Sequence, residues 1–454
     1  MTGFAKRITW TAQRGVTLIE LMVAMVLGLL VAAGIVTVFA STSTSNKAQT
    51  QLARLQEEGR FAITRLSGDL GMANGQYCTN SGGVAQAGSG GLYLDHLRTP
   101  QVFAKNLMGA AAGATSGALH DLTTIWGASN GGVTYPAVPT AAYSLPSFLF
   151  MRGYDCTVTA CTPIDPSTAG LPAMGPAVGD RVLGTSVLTV RYVNPTSGWS
   201  IGVPGGSQIA TSTSSGTINS ITLTPVTGEP PATNFAPTDL AMLADCSNAE
   251  IFSVTRSGAI LTPNPALNFT GSSPAAQQPE AAPKLFDVNR DFQTVTYYLK
   301  VVSLNNDGQA PLTGALMRRV NGNSASGGSE DELVRGIERM DFKYGVQDAS
   351  GNTSFLTASE IDASTNCPPS ELSSITTAGC LWRAVNSIEV SVLMSGQVPL
   401  YTLGANDLNY VYNIDGSLLQ APSAHATKPT DQGFVDQMLR REFTALIAVR
   451  NYNP

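Results

Sequence analysis

The residues best placed to do chemistry lie in RGVTLIELMVAMVLGLLVAAGIVTVFA, which begins at Arg14. Glu20 is its one acid, and no further formal charge follows until Lys47. A carboxylate beside an apolar run is costly unless it has a partner or lies at the membrane interface. Upstream, MTGFAKRITWTAQRG carries Lys6, Arg7 and Arg14 without an acid, and Gly15 closes it. A secretory signal is cut behind its apolar run, at an A-x-A-like site; here Gly15 comes before the run. A cut after Gly15 keeps the apolar segment and creates an ammonium at Val16, four residues from Glu20. Within one straight helix the two groups point poorly at each other. Between two helices offset by about one residue step they meet. The chemistry on offer is therefore ion pairing between chains.

Other candidates are weaker. GASNG (Gly127–Gly131) fits G-x-S-x-G, with Ser129 after the strand-like LTTIW. A nucleophile elbow needs a helix directly after its serine, and GGVTYPAVP follows instead. His120 and Asp121 read as turn residues in a Gly-rich loop. His96, His120 and His425 show no ligand spacing, and the tight C-x2-C pairs of a zinc site are absent from the sequence. NNDGQ and QDASGN offer Asp307 and Asp348 to calcium, but neither fits the loop of alternating acids closed by Glu. Turn chemistry accounts for both. The basic pairs Arg318–Arg319 and Arg440–Arg441 read as strand ends or salt-bridge partners, and Tyr297–Tyr298 as divided between a core and a surface face. No catalytic residue, cofactor or metal is expected.

These residues need positioning. Leu21–Ala40 is free of charge and long enough to cross a bilayer core of about 30 Å. Beyond it, Leu52, Leu55, Phe61, Ile63, Leu66 and Leu70 follow the three-and-four spacing of an amphipathic helix. Arg54 with Glu58, and Arg65 with Asp69, are four apart and support its polar side. Gly71, Asn74 and Gly75 end it. From Val16 to Ala73 such a helix is roughly 85 Å long. The expected organisation is a leader over 1–15, a helix over 16–75 with its membrane part at about 21–40, and a β-rich domain over 76–454. A Gly-, Ser- and Pro-rich insertion occupies about 79–178, with loop-rich stretches at 194–237 and 262–283. Strand signals with alternation are RVLGTSVLTVRYV, EIFSVT, QTVTYYLKVV, GALMRRV, MDFKYGV, SIEVSVLMS and FTALIAV. Phe342, Tyr344 and Val346 share a face, as do Ile388, Val390 and Val392. The fold class is α+β: one long N-terminal helix, membrane-spanning then amphipathic, followed by a mainly antiparallel sheet domain with long insertions.

The 454 residues hold only 13% charged residues but 45 Gly and 26 Pro, a composition suited to a secreted, loop-rich β protein. Removing residues 1–15 leaves 23 basic against 32 acidic side chains, a net charge of −9. That balance disfavours sequence-independent nucleic-acid binding, and nucleic acid is not an expected partner. Six cysteines all lie beyond the apolar segment and allow fifteen pairings. An oxidising compartment favours disulfides. The local candidates are Cys156–Cys161 and Cys367–Cys380, which leaves Cys78–Cys246.

The N-terminal pattern G-V-T-L-I-E-L-M-V-A closely resembles the type IV prepilins. The resemblance implies that a prepilin peptidase cuts after Gly15 and methylates the amine of Val16, and that Glu20 pairs with the amine of a neighbouring subunit. Val16 departs from the Phe usual at that place. QLARLQEEGRFAITRLSGDLGMANGQYC (Gln51–Cys78) resembles the PilW family of minor pilins, and further matches follow in family order: GDRVLGTSVLTVRY, ADCSNAEIFSVT, ELVRGIERMDFKYGVQDASGN, AVNSIEVSVLMSG and RREFTALIAVRN. What this implies is a pilin-like fold and a structural role. The protein would wait in the bacterial inner membrane with its globular domain in the periplasm. It would then join other minor pilins and the major pilin at or near the pilus tip, prime assembly and carry a PilY-type adhesin. The insertion at 79–178 lies outside the resemblance. A J-type pseudopilin of a type II secretion system shares the same N-terminus, and a binding module in the insertion is compatible with either.

Overall fold

The computed structural model describes residues 15–75, 84–88, 91–95, 100–108, 119, 123, 126–127, 129–130, 133–166, 171–245, 249–271, 273–276, 283–322, 328–347, 353–364, 379–401 and 404–450, with backbone alone at 84–88, 91–95, 129–130, 133–134 and 380. The chain falls into two units, Met1–Ala53 and Arg54–Pro454. Helix α1 (Leu18–Leu70) runs through the boundary. By length and composition it is able to cross a membrane. In the first unit its apolar side chains are exposed, Leu18, Leu30 and Phe39 among them. Two threonine hydroxyls in this part bond within the helix: Thr37 Oγ1 donates to Ala33 O at 2.9 Å, and Thr44 Oγ1 to Ala40 O at 3.0 Å. Such back-bonding suits a helix that meets no water along this stretch.

In the second unit the buried stripe of α1 is Leu55, Gly59, Ala62, Leu66 and Leu70, continued by Ala73 in the turn that follows. Phe61, expected on that stripe, is 49% exposed. The reason is the partner surface. The Phe443 ring fills the place beside Gly59, where a Cβ would come within 2.8 Å of it. The contact needs a residue without a side chain, so the stripe rotates onto 59 and 62 and away from 61.

Two antiparallel sheets receive this stripe. The first comprises β1 (Met151–Cys156), β2 (Cys161–Thr162), β3 (Val187–Val193), β4 (Phe292–Ser303), β5 (Leu312–Val320) and β6 (Ser329–Arg335), in the order β6-β5-β4-β3-β1-β2. The second comprises β7 (Ile337–Gln347), β8 (Thr353–Leu356), β9 (Val385–Ser395) and β10 (Arg440–Ala448), in the order β8-β7-β9-β10. Register across the second sets Phe342 opposite Val390 and Tyr344 opposite Ile388. All four are buried, as the alternation requires. Gly336 alone passes the chain from β6 to β7. Its φ of +85° and the 2.7 Å a Cβ would leave to Ser395 O exclude a side chain there.

The expected strands are all present, and the stretches read as loops contain more. Between β3 and β4, the described residues of 194–291 form a lobe in which Trp199, Ile221, Phe235, Phe252 and Leu261 build a core of their own, while Leu240, Met242 and Ile251 join the main core. Its sheet runs Trp199–Ser200, Lys284–Asp287, Leu240–Ala244, Ala249–Ser257, Ile260–Pro263, Ile218–Thr222 and Gln208–Thr211. Gln101–Val102, from the 79–178 insertion, adds in parallel to Ala249–Ser257. Tyr297 and Tyr298 are both buried, contrary to the divided reading. They sit mid-strand in β4, which is paired on both sides, by β3 and β5. One ring meets α1, while the other lies in the field of Arg181 on the opposite face.

Candidate assembly site

Residues 15–17 precede the helix, so Gly15 and Val16 lie just outside its first turn. Val16 is 70% exposed. Thr17 and Glu20 form a reciprocal pair: Glu20 N–H donates to Thr17 Oγ1 at 3.3 Å, and Glu20 Oε2 accepts from Thr17 N–H at 3.1 Å and Thr17 Oγ1 at 2.9 Å. This is a capping box. Its sequence signal is T-x-x-E, Thr17 to Glu20, ahead of an apolar run. The box fixes the carboxylate at the helix start, on the surface, with a second oxygen free of any protein partner among the described residues. A group held this way is ready to accept from a donor on another chain.

The far end of α1 has a different acid. Asp69 accepts from Arg318 Nε at 2.6 Å and Nη2 at 3.2 Å, from Tyr297 Oη at 2.6 Å and from Tyr192 Oη at 2.9 Å. Its expected partner, Arg65, is not the one it takes. Burial by itself would raise the Asp69 carboxyl; Arg318 and the two tyrosine hydroxyls outweigh it and hold the group below the usual range. Burial and the neighbouring carboxylate push both tyrosines up. One side chain thus ties the helix to β3, β4 and β5. The Arg54–Glu58 pair does form, at 3.2 Å.

The remaining candidates serve the fold. Cys156 and Cys161 are joined as a disulfide that closes the β1–β2 turn. Cys78, Cys246 and Cys367 lie outside the described residues, as does the Cys380 side chain, so their pairings fall outside them too. Ser129 opens a two-residue strand paired with Val133–Thr134; no helix follows it. Asp307 accepts from Ser303 Oγ at 2.6 Å and Gln309 N–H at 2.9 Å, which is a turn. His425 is buried, with Nδ1 3.1 Å from Asp415 and its ring stacked on Tyr410. Arg319 faces Glu330 at 3.7 Å and Arg440 binds buried Glu338 at 2.6 Å, so the basic pairs contribute salt-bridge partners. His96, His120, Asp121 and Asp348 lie outside the described residues. Among the described residues no cluster of three or more His, Cys, Asp or Glu is placed to hold a metal.

Comparison with known proteins follows this geometry. Residues 10–36 match the prokaryotic N-terminal methylation motif, which spans Gly15, Val16 and Glu20. Residues 296–451, from within β4 through β10, match the family model of the type IV pilus-assembly protein W. A solved structure of a type IV-like pilin from Thermus thermophilus is similar at 14% identity over 48% of this chain and 85% of that one, with a TM-score of 0.17. So low a score carries no argument. No curated protein matches the chain at a significant level.

Proposed function

We propose that this chain is a minor pilin of a type IV pilus. The observation that carries the reading is the presence, on one chain, of the methylation motif over 10–36 and the pilus-assembly W region over 296–451. In this reading a prepilin peptidase removes residues 1–15 and methylates Val16. Until assembly, α1 anchors the protein in the bacterial inner membrane with the second unit in the periplasm. Glu20 then accepts from the amine of a neighbouring subunit, while Thr17 keeps it oriented. The exposed apolar side chains from Val16 to Phe39 leave lipid for a bundle of like helices, where they remain out of water. The globular domain works by shape: it meets the other minor pilins and the major pilin, primes the fibre at its tip and carries a PilY-type adhesin. This role needs neither catalysis nor a cofactor.

The test is pilus number per cell after deletion of the gene, with retraction active and with it disabled. Pili that vanish in the first background and return in the second support priming. Normal pili with failed protein secretion would replace this reading by a J-type pseudopilin. Glu20→Ala should leave the leader cleaved but the protein absent from sheared pili; recovery at the normal level would remove Glu20 from its role. Gly15→Val should leave the leader uncut.

A further inference from the structure

The lobe of residues 194–291 bears a cleft of about 400 Å³ to which pilus assembly assigns no task. Its walls are the start of strand Ile218–Thr222, the end of strand Ile260–Pro263 and, beyond that strand, residues 265, 268–271, 273 and 274. That segment is tied to the sheet on both sides. Ile218 N–H donates to Pro274 O at 3.0 Å, and Ala276 N–H to Gly216 O at 3.1 Å. Buried Asn268 accepts from Ser253 N–H at 2.7 Å and donates to Ser253 O at 3.0 Å. The cleft is therefore framed by fixed backbone and lies in the size range of small-molecule sites.

Its lining has a definite chemistry. No charged side chain contributes to it. Asn219, Thr262, Thr270 and Ser273 do, and among the described residues their side chains make no hydrogen bond within the protein. An amide and three hydroxyls supply both donors and acceptors. Pro263 and Pro274 add ring surface between them, with Phe269 at the base. An ionic ligand finds no counter-charge here. A peptide added as a strand needs several unpaired residues on one edge; Ile260 and Leu261 are paired on both sides, which leaves only Thr262 and Pro263 open toward Ile218–Thr222, and Pro263 has no N–H to donate. The ligand that matches is neutral, rich in hydroxyls and flanked by C–H faces.

We propose that this cleft binds a short neutral saccharide. The site is separate from the assembly residues, so failure of either reading leaves the other standing. The experiment uses the full chain in a detergent without a sugar headgroup, titrated by calorimetry with maltose, cellobiose and diacetylchitobiose in turn. At least one should bind saturably with a Kd of about 0.1–1 mM, the weak range proper to a shallow polar site. Thr262→Trp, which fills the cleft from an exposed strand position, should weaken that binding at least about tenfold, and Asn219→Ala by severalfold, with both variants melting as the parent does. Three results would overturn the proposal: no saturable binding of any of the three up to about 10 mM, binding unchanged in Thr262→Trp, or preference for an acidic sugar or a neutral proline-rich peptide over all three.

Discussion

Glu20 and Asp69 stand on the same helix and meet opposite surroundings. Glu20 lies on the surface, and its hydrogen bonds go to the amide and hydroxyl of Thr17, one turn away. Asp69 is largely buried and collects an arginine and two tyrosines from three different strands. The first acid takes only a local partner and keeps bonding capacity in reserve. The second spends all of its capacity inside the fold. What separates the two acids is therefore the distance in sequence to their partners, not their type. A carboxylate satisfied by its own turn costs the monomer little and remains open to a neighbour. One satisfied by remote strands cannot be withdrawn without loosening all of them.

The largest effect should come from breaking this contrast at its buried end. Asp69→Ala leaves Arg318 without its counter-charge and should destabilise the domain by about 3 kcal/mol, measured by denaturant unfolding of the purified protein. Glu20→Ala in the same experiment should leave the transition where it is. Equal losses from the two would end the distinction between them. Next, Gly336→Ala should cost about 2 kcal/mol, because it places a side chain at positive φ against Ser395 O. Gly127→Ala, also at positive φ but in open space, should cost less. A pH-dependent effect concerns Asp155 on β1, which accepts from Ala358 N–H at 2.8 Å. Burial pushes its carboxyl up to about 7. The folded state then holds a proton that the unfolded chain, with its ordinary value near 3.8, has released. Stability should fall as pH rises between about 4 and about 7, by at most about 1.4 kcal/mol per pH unit from this group. Asp155→Asn should flatten that part of the profile, and a slope unchanged in the variant would assign the dependence elsewhere.

Much of the architecture could be read in advance, and the parts that could not share a cause. β10 buries one face and alternates accordingly, while β7 and β9 were legible from the alternating apolar residues Phe342, Tyr344 and Val346 and Ile388, Val390 and Val392, although Asp341 and Ser391 on their other faces are buried too. Leu240–Ala244 did not look like a strand, since LAMLA is built from helix formers; it is buried on both faces and paired on both edges, so packing overrides propensity. Ser329–Arg335 hid behind three consecutive acids. Their partners, Lys300 and Arg319 for Glu330, lie on neighbouring strands and are invisible to a local reading. The same limit applies to the two acids of α1. Glu20 lies with Gly15 and Val16 in a short motif that a local reading sees. Asp69 could not be seen in that way, because its role depends on residues more than a hundred positions away. The inserted lobe escaped because its short strands sit among Gly, Ser and Thr, where turn signals outnumber alternation.

The manner in which that lobe is attached has a mechanical consequence. It leaves at Val193 and returns at Phe292, and these two residues face each other across paired strands. Asn194 N–H also donates to Asp291 O at 2.9 Å, closing the neck. Tension travelling through the main sheet crosses from strand to strand at this closure and does not run around the loop it encloses. The lobe is held to the rest of the domain at this seam and also by packing, since Leu240, Met242 and Ile251 lie in the main core. The seam thus sets the register of β3 against β4 independently of the length of chain it encloses.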